Sequence, residues 1–67
     1  MRLILCASSS SIAEGVTRDM RRDGFLARAS CRGSTALVIV YCITSELEMV
    51  VQRVQRCDPT ALPYPAA

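Results

Sequence analysis

The chain is predicted to be a small α+β domain: a two-layer β-α-β-β-α sandwich, its three-stranded mixed sheet in spatial order 1-3-2 and both helices on one face. Three observations lead there. Two runs, residues 3–6 and 36–43, are apolar and free of charge. Two segments carry apolar residues at helical spacing and end at Gly or Asp-Pro. One stretch, residues 25–32, alternates apolar with polar residues.

The first strand spans residues 2–7 and shows no alternation, which predicts cover on both faces. Four serines follow, and Ser11-Ile12-Ala13-Glu14 matches a capping box. Ile12, Ala13, Val16 and Met20 then share one side of a helix, while Glu14, Arg18, Arg21 and Arg22 occupy the other. Glu14 and Arg18 are spaced for an i,i+4 ion pair. Asp23-Gly24 ends the helix, Gly24 suiting a left-handed cap.

In the second strand Ala27, Ala29 and Cys31 face one way and Arg28, Ser30 and Arg32 the other, the pattern of a half-exposed edge. Residues 32–35 read as a tight turn. "ALVIVYCI" is the strongest strand former in the chain, rich in β-branched residues. Ser45-Glu46-Leu47-Glu48 predicts a second capping box, and Leu47, Val50, Val51, Val54 and Cys57 form the apolar stripe of a second helix. Its acids lie at the start and Arg53 and Arg56 at the end, as the helix dipole prefers. Asp58-Pro59 stops it.

This organises the chain as one domain over residues 1–58 and a proline-rich tail over 59–67, "PTALPYPAA", suited to lying along a sheet edge or groove. A right-handed crossover makes strands one and two parallel, and the hairpin turns strand three antiparallel to strand two. Placing the two charge-free strands side by side gives the order 1-3-2, a ferredoxin-like plan lacking its last strand. Strand one is then left with an unpaired edge and the sheet with an apolar far face, both of which are ordinarily covered by a partner.

Composition points the same way. A 67-residue chain that is 51% hydrophobic has more apolar surface than its interior can hide. A homodimer, or a module bound to another protein, is expected. The net charge of +2 is too weak to impose a nucleic-acid function. All 8 basic residues are arginine, which pairs with carboxylates and phosphates in a two-pronged way. No run approaches the ~18 apolar residues of a membrane span. The opening apolar run is too short for a signal peptide, so the expected location is cytoplasmic, with all four cysteines as reduced thiols.

Cys6 ends the first strand just before Ser8–Ser11 and a helix start, where backbone N–H groups and the helix field favour an anion and a thiolate. A cysteine so placed resembles the cysteine-phosphorylated B components of bacterial sugar phosphotransferase systems over roughly the first 25 residues, a resemblance that implies a phosphocysteine at Cys6. This chain lacks the glycines that let a backbone wrap a phosphate in that family. The phosphatase spacing of cysteine, five residues and arginine fails at Ile12. The plainer reading makes Cys6 a small core residue and the serines a turn and cap. Cys6, Cys31, Cys42 and Cys57 are isolated and histidine is absent, so no zinc site, other metal or cofactor is expected. The carboxylates each have a structural explanation and no two form a catalytic pair, so the chain is read as not an enzyme.

The binding candidates are therefore surface residues. Arg18, Arg21 and Arg22 on the first helix, with Arg28 and Arg32 on the edge strand, make a candidate basic patch. Met49 points away from the apolar stripe of the second helix, beside Arg53 and Arg56, and Met and Arg are both enriched in interfaces. The expected function is a small non-enzymatic interaction module, an inhibitor or adaptor that occupies a surface on a partner protein, a class that includes phage-encoded host-defence inhibitors. The alternatives are a nucleic-acid-binding regulator using the arginines, and a thiol or phosphocysteine enzyme at Cys6.

Overall fold

A computed structural model of the chain describes residues 1–64. The tail reading for residues 65–67 lies outside the described residues. The elements are β1 (Arg2–Ala7), α1 (Ser10–Arg22), β2 (Leu26–Arg32), β3 (Thr35–Tyr41), a 3-10 turn (Thr44–Glu46), α2 (Leu47–Cys57) and β4 (Leu62–Pro63). The strands form one sheet in the order β2-β3-β1-β4. The α+β class, the adjacency of the two charge-free strands and the edge position of β2 are all as expected.

The sheet departs from expectation in two respects. It has four strands instead of three, and every neighbouring pair is antiparallel, so it is not mixed. The extra strand comes from the tail and completes the split β-α-β plan. Pro63 lies opposite Leu5, and Tyr64 donates its N–H to the Ile4 carbonyl at 2.7 Å. Pro63 thus falls between hydrogen-bonded positions, where a missing N–H removes no ladder bond. The edge of β1 that the sequence left bare is covered at Leu5 and Cys6 by this short strand.

Register sorts the side chains. Leu5, Val38 and Val40 point to the helix side and meet Ala13, Val16 and Met20 of α1 and Val50 and Val54 of α2 in one buried cluster. Most of these side chains are fully buried, and each large one contributes about 1.5–3 kcal/mol relative to exposure. Thr17 joins them by donating its hydroxyl to the Ala13 carbonyl at 2.7 Å, which satisfies a buried polar group within its own helix. Ile12, expected in the apolar stripe, is exposed instead.

The helix starts also differ. Ser9, not Ser11, caps α1: its Oγ accepts the Ile12 N–H at 3.1 Å. The ion pair on α1 joins Asp19 to Arg22 at 3.9 Å, not Glu14 to Arg18. Before α2 the chain makes the 3-10 turn, and the box is shifted: Glu46, not Glu48, reaches back, accepting the Ile43 N–H at 3.2 Å. Gly24, at φ +93°, closes α1 in the left-handed region as its residue type predicts.

On the far face Leu37 and Ile39 of β3 are only 6% and 5% exposed, so the middle of that face is not bare. Ile4 and Arg28 flank Ile39, Cys6 and Ser30 flank Leu37, and Arg32 reaches the Tyr64 ring at 5.9 Å. Long side chains on both edges cover what the helices do not.

Candidate interaction surface at one end of the sheet

The bare apolar groups gather elsewhere. Leu26 begins β2, Tyr41 ends β3, and the register sets them opposite one another beside Arg2. Met1 and Cys42 exchange both backbone hydrogen bonds, at 2.8 and 3.0 Å, extending the β1–β3 ladder and bringing Met1 to the same end. Ile43 follows directly. Met1, Leu26, Tyr41 and Ile43 are 64%, 73%, 42% and 64% exposed, and all four line one groove of about 480 Å³. Phe25, Cys42, Asp23 and Glu46 line it too. Large apolar side chains with a few charged neighbours are the ordinary make-up of a protein-binding patch.

The opposite end of the sheet is sealed. Asp58, which follows α2, is buried, and both of its oxygens are occupied. Ser8 donates its backbone N–H at 2.8 Å and its hydroxyl at 3.0 Å to Oδ2, while Thr60 donates its N–H at 3.2 Å and its hydroxyl at 2.7 Å to Oδ1. These bonds, the Thr60 hydroxyl foremost and the Ser8 N–H next, hold the Asp58 carboxyl below its ordinary value. The serine loop is thus clamped at Ser8 by the chain's own carboxylate. Cys6 lies across from Leu37 and Leu62 on the far face, half-buried, and so is not part of the helix-side core.

The eight arginine and methionine candidates do not converge. Arg18, Arg21 and Arg28 line a groove of about 330 Å³ between α1 and β2, shared with Glu14 and Thr17. Arg21 donates to the Ala27 carbonyl at 3.0 Å. Arg22 pairs with Asp19, and Arg32 is turned toward Tyr64 on the far face. Met49, Arg53 and Arg56 line a separate groove between the helices, with Asp19, Asp23 and Cys57. There Arg53 pairs with Asp23 and, at 3.3 Å, with Asp19, tying α2 to the end of α1. The hydrogen bond to Asp23, more than that to Asp19, raises the Arg53 pKa further above its ordinary value. Arg53 is therefore a structural bridge.

Sequence reasoning missed the sheet-end patch. One signal was present: Leu26 falls on the polar side of the β2 alternation, with Arg28, Ser30 and Arg32, where a large apolar side chain has no interior to enter. Among the described residues no three Cys, Asp or Glu side chains gather as metal ligands, and no helix is long and apolar enough to cross a membrane. Compared with known proteins, the chain matches no family model and no curated protein.

Proposed function

We propose that this chain is a non-enzymatic protein-interaction module, an inhibitor or adaptor acting in the cytoplasm. It docks through Met1, Leu26, Tyr41 and Ile43, and two copies cover this surface for one another when no other partner does. The observation that carries the reading is the convergence of four large, exposed apolar side chains on one groove that Asp23 and Glu46 also line. Their contact would remove from water the apolar area that a chain of this length cannot fold away.

Weighing against a thiol enzyme, the Ser8 N–H that could meet a phosphate already serves Asp58. Weighing against a nucleic-acid regulator, the arginines divide among three surfaces, and Arg22 and Arg53 are already paired with carboxylates. Light scattering over a concentration series tests the proposal: the wild type is expected to self-associate, and Ile43→Asp to remain a monomer with an unchanged circular dichroism spectrum. A wild type that stays monomeric at every concentration, together with full partner capture by Ile43→Asp, would remove this surface from consideration.

A further inference from the structure

The outer edge of β2 has features that the sheet-end patch does not use. β3 pairs with one side of β2, and among the described residues the other side of residues 26–32 carries no strand. Arg21 reaches the Ala27 carbonyl from α1, which shows that this carbonyl points outward from the sheet edge. In an antiparallel ladder alternate residues turn their N–H and C=O the same way, so Ala29 and Cys31 also direct theirs outward. Arg21 occupies the first of these three stations. The other two have no partner among the described residues and remain a template for one more strand.

Charge selects what can be added. Arg28 and Arg32 project from the far face of β2, and Arg18 stands across the seam on α1, all three exposed. Glu14 is the one acidic side chain lining the seam. A second copy of β2 fits poorly. Twofold antiparallel pairing centred on Ser30 sets Arg28 directly opposite Arg32, and pairing centred on Ala29 leaves them diagonal, so like charges crowd in either register. A strand with carboxylates at alternate positions reverses that term. Beneath the edge, a groove of about 260 Å³ lined by Ala29, Ser30 and Cys31 with Ser10 and Glu14 leaves room for small side chains on the other alternate positions.

We propose that the Ala29–Cys31 edge of β2 accepts an extended acidic peptide segment of a partner protein as a fifth strand, with backbone hydrogen bonds giving affinity and Arg18 and Arg28 selecting for carboxylates. This shares with the preceding reading the premise that the chain binds another protein, but uses a different surface. The test is a titration of the isotopically labelled full chain with an end-blocked eight-residue peptide alternating glutamate and valine, and with its lysine–valine counterpart. The glutamate peptide is expected to slow amide exchange at Ala29 and Cys31 by at least about tenfold, and the lysine peptide to leave it unchanged. Combining Arg18→Glu with Arg28→Glu is expected to weaken glutamate-peptide binding by about tenfold or more, and Ile43→Asp to leave it intact. No protection at about 1 mM peptide, equal protection by the lysine peptide, or loss of binding in Ile43→Asp would each overturn the proposal.

Discussion

The two ends of the sheet solve the same problem in opposite ways. Where β1 runs out at Ser8, a buried carboxylate gathers two donors from Thr60 beside it and two from Ser8, 50 residues away, and closes the fold on itself. Where β1 begins, Met1, Leu26, Tyr41 and Ile43 are exposed, and the Thr44 hydroxyl donated to the Met1 sulfur at 3.5 Å is a single weak tie. The difference teaches that polar residues near a cysteine are no guide to function when their donors are spent internally. At the open end, the clustering of exposed apolar side chains is the informative feature.

The largest expected effect belongs to the interior shared by both ends. Leu5→Ala is expected to cost about 2–5 kcal/mol in urea unfolding, since Leu5 is completely buried among residues from both helices. Leu26→Ala, at the open end, is expected to fall within about 0.5 kcal/mol of wild type. Similar losses at the two positions would erase the distinction between interior and open end.

Next comes the sealed end. Asp58→Ala is expected to cost about 2–3 kcal/mol at neutral pH, the scale of hydrogen bonds to a charged acceptor. Because folding lowers the Asp58 pKa from 3.8, its contribution is complete above that value and is lost as pH falls below it. Asp58→Asn is therefore expected to flatten the acid limb of a stability-versus-pH curve. An unchanged acid limb would mean that the clamp does not depend on ionisation.

Arg53→Ala sharpens the contrast between the helix-side ion pairs and this clamp. Arg53 is only partly buried and its carboxylates are well hydrated, so the expected loss is about 0.5–1 kcal/mol, shrinking with added salt. The smallest effect on the isolated fold is expected from Ile43→Asp. At low protein concentration its thermal midpoint should match wild type; at high concentration only the wild-type midpoint should rise, because association stabilises by mass action.

Much of this fold was legible in the sequence. Two charge-free runs had to be neighbours, the alternating run had to be an edge, and helical stripes placed both helices over one face. β4 was not legible, because Pro63 reads as a strand breaker and only the register places it where no N–H is needed. Among four consecutive serines each is a credible cap, and only the turn geometry selects Ser9. The sheet-end patch was the least legible feature. Met1, Leu26 and the Tyr41–Ile43 stretch are distant in sequence and meet only through the pairing of three strands. The candidate arginines had the converse fate, since the seven of them were dispersed by the fold over separate surfaces.

The most direct measurement is a nuclear magnetic resonance dilution series on the labelled wild-type chain, with each backbone shift followed from high to low concentration. The predicted result is a set of concentration-dependent shifts centred on Met1, Leu26, Tyr41 and Ile43, absent from Ile43→Asp. Shifts confined to Arg18, Arg56 and the other arginine-bearing surfaces, with the open end of the sheet silent, would contradict it.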